Sequence, residues 1–547
     1  ATIATVILSV AVGATLFSFA LLTSQITMVL TILPFTVLLF GMAWPRIKIA
    51  DRGSALAAEV PYAAAYTAVM STGGISPYVS ILRLSKAALL PTFSKMAKIL
   101  DVKVRGLGYD PVTALEEIGK IMPSAEFKEL LLGYASTLRA GGDVVHYLLR
   151  RTEVLFRERV TNLKLVGEQV GQLMEIYMTF GILLSLGIYS IYSIQLAMGQ
   201  AFSEMQGGIF GSVEFFMGFA YLFLPFLSFI FLWLVDVTQP KYPTEENDIY
   251  ILFIGTAIPI ALILLPGFFG AFVLADLMKI EFIATMSTYI VALTKWMGLE
   301  QGYEASIGLL ISLIAMTIPA WSYKTYLDWK EKGMEFGFAN FLRDLVEIRK
   351  SGLSPEKCIT NLSERAYGNL SKHIKTVSSQ VSWGIPYSRI YSQFSKSIRS
   401  WLTKVSMFLL LDAIEVGGGT PDTLETLAQF NESIISMEKE KRAMLRPLLI
   451  IPYIGTAVLV IVVIALLTFF RSMLTMVGRT IGFIEITRLL LPPLIIHVYN
   501  MGLVGGKIAY GETSGGFTHA IMLLIFTFLM LALTPYYSLN ISLGPTG

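Results

Sequence analysis

The sequence predicts an all-α, polytopic membrane protein of about nine spans that carries two homologous cytoplasmic helical bundles. Three observations predict it. The 547 residues are 54% hydrophobic and only 15% charged, with a mean hydropathy of +0.65, whereas soluble domains carry about 25% charged residues. The charge is concentrated: of 42 Lys and Arg, 17 fall between Arg46 and Lys164 and 18 between Lys324 and Arg446. The two charged stretches also share landmarks at a near-constant offset.

The first charged residue is Arg46. The apolar stretch before it is too long for a signal-peptide core and lacks a basic leading segment. Because a helix crosses a bilayer in about 20 residues, residues 1–44 are expected to form two spans, 2–22 and 25–44. Residues 45–168 form the first bundle. Residues 169–322 carry four apolar runs, at 170–198, 212–235, 249–275 and 306–322. Between the last two, 282–294 is flanked by Lys279, Glu281, Lys295 and Glu300 and is too short to span. It is expected to be an interfacial or re-entrant helix on the outer side; a crossing there would put the bundles on opposite faces. Residues 323–446 form the second bundle, and 447–547 carry spans at 447–470, 486–506 and 517–537.

Cytoplasmic loops keep an excess of Lys and Arg near the span ends. Arg46, Lys48 and Arg52 follow the second span, Arg157, Arg159 and Lys164 precede the third, and Lys324, Lys330 and Lys332 follow the sixth. Both bundles therefore face the cytoplasm of a multi-pass cell-membrane protein, with the N-terminus inside and the C-terminus outside. Arg471 and Arg479 run against this assignment near the C-terminus.

The bundles read as helical. Phe127, Leu130, Leu131, Tyr134 and Leu138 recur at three- and four-residue steps, an apolar stripe along one helix face. Asp110-Pro111, Ser354-Pro355 and Thr420-Pro421 each place a capping side chain before a proline at the first helical position, where its missing N–H does no harm. The bundles also align with each other. Gly74-Ile75-Ser76-Pro77 answers Gly352-Leu353-Ser354-Pro355, Tyr109-Asp110-Pro111 answers Gly384-Ile385-Pro386, and Arg139-Ala140-Gly141-Gly142-Asp143 answers Glu415-Val416-Gly417-Gly418-Gly419. Turn chemistry alone would repeat glycine and proline but not their spacing, so the pattern indicates duplication.

Several functions are excluded. A net charge of +3 argues against nucleic acid. A single cysteine, Cys358, supports neither an intrachain disulfide nor a thiolate cluster. His146, His373, His497 and His519 are scattered. No GxxxxGK[ST] or GxGxxG occurs, and Gly505-Gly506-Lys507 lacks the spacing of a phosphate-binding loop. No enzyme, cofactor or metal site is expected.

Two helical domains, each with an early Gly-x-Ser-Pro turn and a late helix–Gly-Gly–helix turn feeding a span, resemble the F-type protein of type II secretion. That family is the inner-membrane assembly platform of type II secretion and type IV pilus machines. The length and number of spans resemble its archaeal branch, the platform of the archaellum and of archaeal adhesion pili. The resemblance implies a non-enzymatic scaffold, a homodimer, that couples a cytoplasmic hexameric secretion ATPase to pilin or archaellin subunits. The repeat turns are Gly141-Gly142 and Gly417-Gly418; the glutamate that bacterial relatives carry there is absent.

Arg150, Arg151, Arg157 and Arg159 crowd the helix approaching the membrane in the first copy, and Lys439, Lys441, Arg442 and Arg446 do so in the second. They are candidates for attraction to anionic membrane lipid or for docking an acidic ATPase surface. Glu168, Glu175, Glu214 and Asp236 lie near span ends. Glu485 and Arg488 are placed to neutralise each other, and His497 to be hydrogen-bonded within the membrane bundle. Gly267, Gly270, Gly478, Gly482, Gly502, Gly505 and Gly506 suit close helix packing. A secondary transporter built from parallel repeats and a membrane signalling scaffold are the alternatives.

Overall fold

The computed structural model describes residues 32–84, 89–122, 124–198, 213–239, 247–273, 279–417, 419–476 and 481–537. Every regular element among them is helical. The first bundle comprises α1 (Ile32–Thr72), α2 (Pro77–Leu84), α3 (Pro91–Asp101), α4 (Pro111–Ile121), α5 (Ala125–Arg139) and the start of α6 (Val144–Met198). Then α7 (Val213–Gly218) and α8 (Leu224–Thr238) follow, joined by a π turn. After them come α9 (Asn247–Leu264), the short α10 (Ala271–Val273), α11 (Glu281–Trp296) and α12 (Glu304–Glu331).

The second bundle comprises α13 (Met334–Lys350), α14 (Pro355–Leu362), α15 (Ser371–Ser382), α16 (Tyr387–Ser397), α17 (Trp401–Gly417) and α18 (Pro421–Leu445). It leads through a 3-10 turn, Arg446–Leu449, into α19 (Ile450–Met476), followed by α20 (Ile481–Tyr510) and α21 (Gly516–Ala532).

The helix starts follow the sequence logic. The Asp110 carboxylate accepts from the Val112 and Thr113 N–H at 3.1 and 3.2 Å, Ser354 Oγ from Lys357 N–H at 3.4 Å, and Thr420 Oγ1 from Thr423 N–H at 3.3 Å. Each such cap stabilises its helix by about 1 kcal/mol. Pro386 differs from its counterpart Pro111: it occupies the N-cap of α16 rather than the first helical position and supplies no side-chain cap. Phe127, Leu130, Leu131 and Tyr134 are buried as the stripe requires, but Leu138, one turn further, is exposed and Ala135 is buried on that face.

The same helix pairs pack in both copies, α1 on α6 as α13 on α18, and α4 on α5 as α16 on α17. Gly74 and Gly352, equivalent in sequence, both take the left-handed conformation, at φ +83° and +91°. The late turns differ. In the first copy α5 ends at Arg139 and Gly141 turns the chain at φ +68°. In the second the helix continues through Gly417, and Gly419 makes the left-handed turn at φ +54°. Gly141 thus answers Gly419 and not Gly417, because α17 runs closer to the cap of the next helix; Gly418 lies outside the described residues.

Seven helices among the described residues, rather than nine, are long and apolar enough to cross a membrane. They are Val144–Tyr192, Phe215–Thr238, Asn247–Val273, Glu304–Lys350, Pro421–Ser472, Phe483–Tyr510 and Thr513–Ala532, which overlap the third to ninth predicted runs. The run 2–22 lies outside the described residues. The run 25–44 is described only from Ile32, where α1 begins and continues unbroken through Pro45 to Thr72. The segment 282–294 falls in α11, whose 16 residues are fewer than the roughly 20 that a span needs.

Candidate functional site

The two bundles share one hydrophobic core, which runs from Leu56 and Tyr66 in α1 to Leu410 and Phe430 in α17 and α18. They therefore sit on the same side of the apolar helices. At the seam, Tyr62 meets Trp401 edge-on at 4.8 Å between ring centroids, Tyr66 stacks on Phe408 at 5.8 Å, and Phe156 lies 6.0 Å from Phe430. The Trp401 indole N–H donates to the Leu89 carbonyl at 2.9 Å. A polar knot closes the seam: Asp412 accepts from the Arg83 guanidinium at 3.1 Å and from the Tyr66 hydroxyl. Burial, reinforced by the Asp412 charge, pushes the Tyr66 phenol well above its usual range, so it stays a donor. Within the first bundle, Glu59 accepts from the Phe93 and Thr92 N–H groups at the start of α3, at 2.7 and 3.1 Å. Burial raises its carboxyl pKa although these two bonds pull it down.

The sequence reading missed this seam, yet a signal was present. Val60–Met70 and Val405–Leu411 contain no charged residue, and a helix that is apolar all round must be buried all round. The duplicate positions show how the copies diverged. Ala58, Tyr62, Ala65 and Val69 line the covered face of α1, while their counterparts Phe336, Asn340, Arg343 and Glu347 form an exposed stripe on α13.

From the seam, two rods run toward the apolar region. One is α6, 55 residues or about 80 Å long at 1.5 Å per residue; the other is the 52-residue Pro421–Ser472. They lie side by side in register. Lys164 faces Glu440 at 3.9 Å, Gly167 and Gly171 sit against Met444 and Leu448, and Gly455 sits against Met178.

Intramolecular pairs take up much of the predicted basic surface. Arg151 is largely buried, at 2.5 Å from Glu129 and 3.7 Å from Glu158. Arg159 is half-buried. Lys441 lies 3.5 Å from Glu438, and Arg442 lies 3.0 Å from Glu335 and 3.8 Å from Glu438. Arg150, Arg157 and Lys439 are exposed, with Arg157 3.5 Å from Glu153. The clusters edge two separate grooves. Arg151, Arg157 and Glu129 line one of about 490 Å³; Lys439, Arg442, Arg446 and Glu335 line another of about 610 Å³.

In the membrane region the charges pair differently from the sequence expectation. Arg488 approaches Glu304 at 3.9 Å, from another helix, while Glu485 on its own helix is exposed. Asp236 is paired with Lys507 at 2.6 Å, and Lys324 with Glu512 at 2.9 Å. His497 is buried against Gly181, but neither ring nitrogen meets a hydrogen-bond partner, contrary to expectation. Gly502, Gly505 and Gly506 do allow close packing. A Cβ at Gly502 would fall on the Ala520 backbone, one at Gly506 on the Gly516 backbone, and one at Gly505 on Pro452. Gly478 lies outside the described residues. Among the described residues no three His, Cys, Asp or Glu are placed to hold a metal.

This arrangement defines a class: a polytopic helical membrane protein whose two duplicated bundles are fused and joined to membrane helices by continuous rods. Residues 63–191 and 341–468 each match the family of the type II secretion system (T2SS) protein F, which supports membership of the chain in that family. Its members are structural components of an assembly machine and not enzymes. Over 410 residues, 74% of this chain and 67% of the relative, the chain is 21% identical to an uncharacterized protein of Methanocaldococcus jannaschii. No solved structure matches.

Proposed function

We propose that the chain is the membrane assembly platform of an archaellum or archaeal type IV pilus, coupling a cytoplasmic hexameric secretion ATPase to insertion of pilin or archaellin subunits. The observation that carries this reading is the pair of in-register rods leaving a fused double bundle, each lying for most of its length in a region that matches protein F. A displacement imposed on the bundles has two stiff helical routes into the membrane. In this reading the bundles are cytoplasmic, the N-terminus is inside, the C-terminus outside, and the working unit is a homodimer.

Orientation is tested with single cysteines at Ser136 and Ser379, both exposed and one in each bundle. An impermeant maleimide should label neither in intact cells and both after permeabilisation. Labelling of one alone from outside contradicts the fused core, and labelling of both contradicts the cytoplasmic assignment. Ser124 is unsuitable because it is buried as the cap of α5.

Docking of the ATPase is assigned to Arg150, Arg157 and Lys439, which are exposed; Arg442 and Arg446 are exposed as well, but Arg442 pairs with Glu335 and Arg446 lies over the Tyr510 ring. Changing all three to Glu should lower capture of the ATPase by detergent-solubilised platform several-fold, and wild-type capture should fall with salt, since charges are screened over about 8 Å at physiological ionic strength. An exposed pair contributes about 0–1 kcal/mol, so single reversals change little. Arg151, Arg159, Lys441 and Arg442 are poor probes: they are paired or half-buried, and their reversal disturbs the fold itself. Unchanged capture by the triple variant would move the docking site elsewhere.

A further inference from the structure

A single exposed helix face runs from α18 into α19 and changes character where it meets the membrane. Lys439, Arg442 and Arg446 are exposed on it, and exposed Ile450, Ile454, Val458 and Ile461 continue it. The steps are three or four residues throughout, which keeps these side chains on one side of the helix. From Pro447 to Phe470 the chain carries no charged residue, so the cationic part ends where the apolar span begins. It borders the groove of about 610 Å³ between α13 and α18, whose other walls include exposed Phe336, Ala443 and Pro447. Tyr326 and Trp329, exposed at the end of α12 just before this groove, are of the residue types that gather at a membrane surface.

The charges of the groove do not cancel. Glu335 and Glu438 are taken up by Arg442, at 3.0 and 3.8 Å, and Glu438 also by Lys441 at 3.5 Å. Lys439 and Arg446 have no carboxylate partner among the described residues. Arg446 lies over the Tyr510 ring at 5.9 Å, which leaves its charge uncompensated. The twin rod shows that packing does not demand these cations. The contacts of Gly171 with Leu448 and of Met178 with Gly455 make Asn162, Leu165 and Gln169 the counterparts of Lys439, Arg442 and Arg446; all three are exposed and uncharged. Further in, Tyr177 and Gly181, the counterparts of Ile454 and Val458, are buried. Of the two copies, the second alone joins exposed cations to an exposed hydrocarbon surface.

We propose that this face binds an anionic phospholipid, its phosphodiester headgroup in the groove beside Lys439 and Arg446 and its hydrocarbon chain along Ile450, Ile454 and Val458. Basic recesses at the ends of membrane helices hold such headgroups, and the charge left over in the groove selects an anionic lipid over a neutral one. A soluble anion would gain nothing from the apolar strip, and a second copy would bring the same two cations. The site needs only a membrane, so it stands independently of the ATPase and of the filament subunits.

The test uses the purified full chain in nanodiscs of equal parts phosphatidylglycerol and phosphatidylcholine, with a photoreactive amino acid at Ala443 or, in the twin, at Leu165. Each cation near a membrane surface strengthens attraction to anionic lipid about fivefold, so Ala443 should capture phosphatidylglycerol about fivefold or more over phosphatidylcholine, while Leu165 shows no preference. Lys439→Gln with Arg446→Gln should abolish the preference, and Lys439→Arg with Arg446→Lys should keep it. Excess inorganic phosphate should not compete. Equal capture of the two lipids at Ala443, the same preference at Leu165, full competition by phosphate, or adducts only to a second copy would each overturn the site. So would a preference that survives the glutamine variant. If that variant does not fold, the comparison of Ala443 with Leu165 in the otherwise unchanged chain still decides. Neither ATPase nor filament subunit is present, so failure here leaves the platform reading as it was.

Discussion

Replacing Gly506 with valine is expected to prevent α20 and α21 from closing on each other. The two helices pack backbone to backbone, Gly506 against Gly516 and Gly502 against Ala520, with no space for even one added carbon. Relief requires moving a backbone, not a flexible side chain. The axis of α20 is also held elsewhere, by Lys507 on Asp236 and by the Gln239 side-chain amide, which donates to the Ile508 carbonyl at 2.8 Å. Overpacking costs about 1–3 kcal/mol and occasionally more, and a clash with backbone belongs at the upper end, a large fraction of the roughly 5–15 kcal/mol by which a native fold is stable. Fluorescence-detected size exclusion after heating should show a large drop in melting temperature, while Met522→Ala, at an exposed position, should melt like the wild type. A Gly506→Val protein with unchanged melting would refute the close approach.

The second large effect is at the seam. Trp401→Ala removes a buried ring from its contact with Tyr62 and leaves the Leu89 carbonyl without its donor; truncations of this size cost about 3–5 kcal/mol. Asp412→Ala strands the buried Tyr66 hydroxyl and the half-exposed Arg83 guanidinium. Both changes should loosen one bundle from the other before either unfolds. Cysteines at Thr72 and Thr423, whose hydroxyls lie 3.4 Å apart across the seam, should cross-link efficiently in the wild type and poorly in these variants. Hydrogen exchange should rise in α1 and α17 together. Unaltered cross-linking in both variants would mean that the seam is held elsewhere. The coupling of Arg83 to Asp412 is accessible by a double-mutant cycle, where touching residues show interaction energies of about 0.5–3 kcal/mol.

The helices and the duplication were legible because both are written locally. Hydropathy marks a span within its own 20 residues, and Asp110-Pro111, Ser354-Pro355 and Thr420-Pro421 specify helix starts with neighbouring atoms. The late turn was misaligned because three consecutive glycines, Gly417 to Gly419, offer the same chemistry at each position, and only the length of α17 selects the last. The partners of the basic residues were not legible. Arg151 is held by Glu129, on the preceding helix, and Arg442 by Glu335, more than a hundred residues away. A cluster that is basic in sequence therefore need not be a basic surface. Arg488 likewise chose Glu304 over its sequence neighbour Glu485, because a residue three positions along the helix competes with a carboxylate presented from across the bundle.

The contrast between α1 and α13 sets how far association of such bundles can go. A contact made between different faces of the same fold propagates without limit unless it closes into a ring or is blocked. Here the first bundle meets the second through Tyr62, with Ala65 and Val69 buried on the same face of α1, and the second carries exposed Asn340, Arg343 and Glu347 at the matching positions. A third bundle would find charge where the first presented methyl groups and an aromatic ring. The duplicated fold can thus recognise its twin once and terminate, so gene duplication produced a finite pair with distinct ends and no seed for a polymer of its own.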